Sequence, residues 1–193
     1  MSELRFTEIE HKFVVDEDWA LAGLRRSLDA LSPSRHVTLR VRDRYFITEA
    51  GRVRGFILRH RHDRELHELT IKTVATDAEV REEVNVALRP GDQDATVDAF
   101  VSAQGLVWAG ELWKDIEVWH FNDCEVVHYT ARGDGQVVHC VEFEATHKAS
   151  LNDALAVLAR YEAATGFASR TRTQASLLEL VWPQVMVEMG WRR

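Results

Sequence analysis

Up to about residue 145 the chain alternates apolar and polar side chains with a period of two, the pattern of strands with one wet face. In Glu8-Ile9-Glu10-His11-Lys12-Phe13-Val14-Val15, one face carries Glu8, Glu10 and Lys12, and the other Ile9, His11, Phe13 and Val15. The spacing of Trp19, Leu21, Leu24, Leu28 and Leu31 then predicts an amphipathic helix, with Asp16 or Asp18 as its cap and Ser32-Pro33-Ser34 as its end. Strands follow at Val37–Val41, Tyr45–Thr48, Phe56–Arg61, Leu69–Val74 and Arg81–Leu88, with turns at Ala50-Gly51 and His62 to Glu65. A helix is expected from Asp94 to Gly105, and one strand or two from Leu106 to Phe121. Val126–Ala131 and Val137–Ala145 read as a hairpin across Arg132-Gly133-Asp134-Gly135. The C-terminal part is helical, from a Ser150 cap to Gly166 and again from Ser169 to Pro183. Strand follows strand without regular helical crossovers. The expectation is an α+β chain, mainly antiparallel β, whose sheet closes into a barrel with flanking helices.

Composition narrows the class. At 193 residues, 46% hydrophobic and 28% charged, the chain suits a single globular domain over 1–193, with its C-terminal helices packed on or plugging the barrel. A net charge of −7 argues against a nucleic-acid binder. Its apolar runs are too short for a membrane span, and no secretory pattern opens it. Two cysteines, Cys124 and Cys140, make no disulfide framework. A cytoplasmic protein with reduced thiols is expected.

The charged strand faces leave two readings open. Collected, they hold the cations Lys12, Arg59, Arg61, Lys72, Arg81 and Lys114 and the anions Glu8, Glu10, Glu83, Glu142 and Glu144. Pointing outward, they are the charged skin of a soluble barrel. Pointing inward, they need a ligand that compensates both signs, because buried unpaired charge is costly. A polyphosphate with a divalent metal meets that need: arginine and lysine take phosphate oxygens, and carboxylates take a hard cation.

The motifs themselves resemble a known family. Glu8-Ile9-Glu10-His11-Lys12 resembles the Glu-x-Glu-x-Lys signature of the CYTH, or triphosphate tunnel metalloenzyme, superfamily. Leu58-Arg59-His60-Arg61, Leu69-Thr70-Ile71-Lys72, Arg81-x-Glu83 and Val141-Glu142-Phe143-Glu144 resemble its later strands, in the family's order. The resemblance implies a closed eight-stranded barrel around a triphosphate tunnel. It implies metal-dependent hydrolysis of a small triphosphate, either inorganic tripolyphosphate or an organic one such as thiamine triphosphate or a nucleoside triphosphate. A cyclase forming cyclic AMP and pyrophosphate from ATP, or a non-catalytic triphosphate binder, are the alternatives.

The same resemblance assigns roles. Glu8, Glu10 and Lys12 would act in catalysis. Lys12, Arg59, Arg61, Lys72, Arg81, Lys114 and Arg172 would bind phosphate, with Arg172 preferred to Arg170 as the C-terminal basic group. Glu8, Glu10, Glu83, Glu142 and Glu144 would hold Mg²⁺ or Mn²⁺. Partners would be the triphosphate, without nucleic acid or membrane, and family analogy allows a homodimer.

Several positions depart from the family pattern. Asn85 stands where a third acid is usual, and Ile116 where an arginine follows Lys114. His128 aligns with an expected tunnel aspartate, with Asp123 and Glu125 nearby. Cys140 shares the parity of Glu142 and Glu144, and Trp108, Trp113 and Trp119 are expected in the barrel wall.

Overall fold

The computed structural model describes residues 5–74, 80–146 and 150–191, with side chains described from residue 9 onward. Eight strands, β1 (Arg5–Val15), β2 (Arg35–Thr48), β3 (Phe56–His62), β4 (His67–Thr73), β5 (Val80–Ala87), β6 (Leu106–His120), β7 (Cys124–Gly133) and β8 (Gln136–Ala145), close into a barrel. Around the ring the order is β1-β5-β4-β3-β2-β6-β7-β8, and every neighbouring pair is antiparallel. Closure gives each of these eight strands a hydrogen-bonded neighbour on both sides. The β7–β8 hairpin turns at Asp134 and Gly135, both with positive φ (51° and 72°), which matches the right-handed strand twist.

Helices cover the outer faces. α1 (Leu21–Ala30) and α4 (Leu151–Thr165) bury Leu24, Leu28, Ala154 and Leu158 against Ile9, Phe13, Trp119, Val141 and Phe143. The odd-numbered face of β1 is therefore outside the barrel, under helices, and its even-numbered face looks into the lumen. Ser150 caps α4, accepting a hydrogen bond from the Asp153 amide. α3 (Asp94–Ala103) covers Phe46 and Leu58 with Val97 and Val101.

The chain's end enters the barrel. Thr173 pairs with Lys12 along the part of β1 that β5 does not reach, its amide donating to the Lys12 carbonyl at 2.8 Å. α5 (Leu177–Val181) and α6 (Pro183–Glu188) then pack Leu178, Trp182 and Met186 against Val41, Tyr45, Ile57, Leu112 and Cys140 inside one end. Glycine makes room for this plug. A Cβ on Gly110 would lie 2.5 Å from Trp108 and 2.9 Å from Trp182.

Some element boundaries differ from the sequence reading. Thr38 to Thr48 is one continuous strand with Arg35–Val37, not two strands, and Leu106–His120 is also one. Ala50-Gly51 lies in a short helix, α2 (Glu49–Arg54), capped by Thr48 and closed by left-handed Gly55. α1 begins after Ala20, with no side-chain cap from Asp16 or Asp18. The last helical segment starts at Leu177 rather than Ser169, because Thr173 is held in a bridge to Lys12 of β1. Trp119 is buried in the wall, but Trp113 is 40% exposed with Arg40 stacked over it. Among the described residues no helix is long and apolar enough to cross a membrane.

Candidate functional site

Because β1, β3, β4, β5, β6 and β8 present alternate residues to the lumen, their charged faces meet across it. Glu10, Lys12, Arg59, Arg61, Lys72, Arg81, Lys114, Glu142 and Glu144 line one cavity of about 280 Å³. Of the two readings of those faces, the inward one describes this barrel. The plug closes one end, with Leu177, Leu178 and Met186 among the lining residues.

The lumen is internally compensated. Lys12 Nζ lies 3.2 Å from Glu10 and 3.1 Å from Glu142, so an ammonium stands between two carboxylates. Arg81 donates to Glu10 at 2.5 Å, and Lys72 is paired with Glu83. Arg59 donates to Glu68 at 3.0 Å and Thr70 at 3.2 Å. Among the described residues its Nε is buried without a hydrogen-bond partner. Asp43, 0% exposed, takes both Nε and Nη2 of Arg61 at 2.8 Å and Lys114 Nζ at 2.7 Å.

Burial and these partners set the protonation states. Burial alone would lower the Lys12 pKa, but Glu10 and Glu142 outweigh it and raise it. Burial would raise Asp43, yet Arg61 and Lys114 hold it well below the usual carboxylate range. Lys114 goes the other way: burial, then the Arg61 charge, lowers it to about 8 against the pull of Asp43. Burial would also raise Glu142, but Lys12 and the Tyr129 hydroxyl, which donates to it at 2.7 Å, keep it lowered. Burial, then Glu142, pushes the Cys140 thiol up to about 12, which leaves it protonated and unreactive.

Like charges also face each other. Glu10 pairs in register with Glu144, and Glu144 with Glu125, placing three carboxylates in a row across β1, β8 and β7. Directly opposed carboxylates repel. All three line the cavity. Among the described residues, however, no three His, Cys, Asp or Glu side chains converge closely enough to enclose a metal by themselves.

Not every residue singled out in the sequence reaches this cavity. The Glu8 side chain lies outside the described residues; its backbone pairs with Arg81 in β1–β5. Glu83 is buried beside Lys72. Arg172 sits on the outer side of β1, where its Nη1 donates to His11 Nε2 at 2.5 Å while His11 Nδ1 bonds Glu162, so it lines a separate external hollow. His128 is a correction: the lumen-facing residues of β7 are Glu125, Val127 and Tyr129, and the His128 ring lies outside, 6.0 Å from Trp19. Burial there lowers its pKa. Asp123 is also outside, held by Arg160 at 2.6 Å and Tyr161 at 3.0 Å. The sequence reading missed Asp43, Glu68, Tyr45 and Tyr129. The signal that exposes Asp43 is its parity: it falls on the same face as Leu39, Val41 and Tyr45.

Comparison with known proteins agrees with this geometry. The model of the CYTH domain matches residues 7–162. A Pyrococcus horikoshii protein, PH1012, superposes with a TM-score of 0.68 at 16% identity, covering 90% of this chain and 99% of its own. A candidate adenylate cyclase from Bacillus halodurans gives 0.64 at 17% identity, covering 93% and 100%. A Hippeastrum protein described as having a dominant triphosphatase activity gives 0.52 at 14% identity, covering 95% and 96%. At these identities the structures attest the fold. No curated protein matches the sequence significantly. With the family model spanning most of the chain and each strand motif placed in one closed barrel, the chain belongs to the CYTH family.

Proposed function

We propose that the barrel is a triphosphate tunnel and that the protein hydrolyses a triphosphate with the help of a divalent metal ion. The observation that carries this reading is the convergence of Lys12, Arg59, Arg61, Lys72, Arg81 and Lys114 on one closed lumen, with Arg59 Nε buried and unpartnered among the described residues. Cations from five strands around one axis suit a chain of phosphoryl groups better than a single small anion. The Hippeastrum relative's triphosphatase activity fits the same reading.

The donor chemistry fits a hard divalent cation. Glu10, Glu142 and Glu144 offer only oxygen, and Mg²⁺ is ordinarily held by one or two carboxylates plus substrate phosphates and water rather than by a complete protein cage. That matches a lumen in which no protein cluster encloses a metal alone among the described residues. Glu10, Glu142 and Glu144 would hold Mg²⁺ or Mn²⁺, which would neutralise phosphate charge and activate a water.

The protein's own part is positioning and charge stabilisation, the main demands of phosphoryl transfer. Lys12 leaves Glu10 and Glu142 for a phosphate oxygen, which frees both carboxylates. Arg81 and Lys72 exchange their glutamates for phosphate in the same way. Arg61 and Lys114 stay anchored by Asp43 and present their remaining N–H groups to the lumen. The plug excludes water from the inner end.

A binding-only protein is the second reading. It is favoured by Asn85, which carries no charge where the family resemblance expects a third acid. One experiment tests both. The protein is incubated with tripolyphosphate, ATP or thiamine triphosphate, each with Mg²⁺ or Mn²⁺. Released phosphate supports the hydrolase; cyclic AMP with pyrophosphate would make it a cyclase. Thermal stabilisation without product supports binding alone. Neither product nor stabilisation with any of the three refutes the tunnel assignment.

A further inference from the structure

One stretch of the lumen wall, bounded on its own strands by Lys114 and Glu125, carries no charge. In ring order, β2, β6 and β7 stand opposite β1, β5 and β4. The latter carry Lys12, Arg81 and Lys72; facing them are Leu39, Ile116, Val118 and Val127, all lining the same cavity. Leu39 pairs with Ile116 and Val118 with Val127, so the four make one contiguous patch. It continues outward from the plug's core: Ile116 belongs to the cluster that holds Leu178 and Trp182, Leu39 and Val127 pack against that cluster, and Val118 lies one further step along β6, about 7 Å on. Leu66, in the β3–β4 turn and 46% exposed, adds an apolar group lining the same cavity.

We infer that this wall seats the non-phosphate part of the substrate, so that the tunnel prefers an organic triphosphate with apolar or aromatic surface to inorganic tripolyphosphate. The inference rests on the triphosphate reading above and refines it. A tripolyphosphate chain gripped by the cationic side would turn its other oxygens toward aliphatic groups that cannot replace their water, at a cost. An organic group removes that mismatch and gains from burying apolar area on both partners. None of the four side chains can hydrogen-bond, so the wall selects apolar surface rather than a particular ring.

The test is a set of dissociation constants for tripolyphosphate, ATP and thiamine triphosphate, measured by calorimetry with Ca²⁺ replacing Mg²⁺ to slow turnover. In the wild type at least one organic triphosphate is expected to bind about tenfold more tightly than tripolyphosphate or better. Replacing both Val118 and Val127 by Thr exchanges two methyl groups for hydroxyls of similar shape. At about fourfold per methyl, the organic-over-inorganic preference should fall roughly fifteenfold. Tripolyphosphate affinity in the same variant reports whether its tunnel is intact. Leu39→Thr, at a half-exposed position, repeats the measurement if the double variant fails to fold. Tripolyphosphate binding as tightly as both organic ligands, or a preference unmoved by the substitutions, overturns this inference and leaves the tunnel assignment standing. Binding of none of the three overturns both.

Discussion

Asp43→Asn is the substitution that most directly examines how this lumen is built. Asp43 is 0% exposed and holds two cations, Arg61 through two 2.8 Å bonds and Lys114 at 2.7 Å. Removing one partner of a buried ion pair costs about 3–5 kcal/mol, because the remaining charge is left uncompensated. Two stranded cations would suggest the upper end. Lys114 has an escape, however. Burial and the Arg61 charge already lower it to about 8, and Asp43 is what raises it. Without that carboxylate its pKa falls further, and the side chain can shed its proton at neutral pH. Arg61 cannot. The expected loss is therefore about 3 kcal/mol, or roughly 6–12 °C in Tm at two to four degrees per kcal/mol for a domain of this size.

A polyanion should reverse part of that loss. In the wild type Asp43 already neutralises Arg61, whereas in the variant a bound phosphate does so. Saturating tripolyphosphate should therefore raise the Tm of Asp43→Asn by more than it raises the wild type. Scanning calorimetry at pH 7, with and without ligand, measures both effects. A Tm drop under about 2 °C, or equal ligand protection of the two proteins, would refute the picture of Asp43 as the anchor of two phosphate-facing cations.

Lys114 also predicts a pH dependence. Its folded pKa, about 8, is below the unfolded value, so the unfolded chain binds more protons between the two and stability from this group rises as pH goes from about 8 to 10.5, by roughly 3 kcal/mol. Urea titrations across that window should show this rise in the wild type relative to Lys114→Met; identical slopes would count against it. Lys12→Met removes the ammonium between Glu10 and Glu142 and should weaken triphosphate binding about 10–100-fold, one or two charge-assisted hydrogen bonds, by calorimetry. His128→Ala should leave triphosphate affinity within about twofold of wild type, since the ring lies outside the barrel; a larger loss would return it to the lumen. Leu178→Ala hollows the plug, where Leu178 is 2% exposed, and should cost about 2–5 kcal/mol in chemical denaturation.

The barrel and most of its lining were legible in the sequence because a strand repeats every two residues. Once Glu10 and Lys12 share a face with each other and not with Phe13, burial of Phe13 under helices fixes where the charges point. That logic failed where the period was blurred. In Val126-Val127-His128-Tyr129 both faces are apolar or aromatic, so motif order alone placed His128 in the lumen, one residue out of phase with the register that pairs Val127 with Glu142. In Arg40 to Arg44 polar residues occupy both faces, and the strand was read as two pieces with Asp43 in the gap. The placement of Arg172 was not legible for another reason: it depends on the single bridge between Thr173 and Lys12, which leaves no periodic trace. Asp43 and Glu68 could still have been found by charge balance. Arg61, Lys114 and Arg59 cannot be buried without anions that remain when no substrate is bound. Each buried cation in such a chain thus implies a carboxylate on a neighbouring strand at the same parity, and those carboxylates separate the groups that bind substrate from the groups that keep the empty tunnel folded.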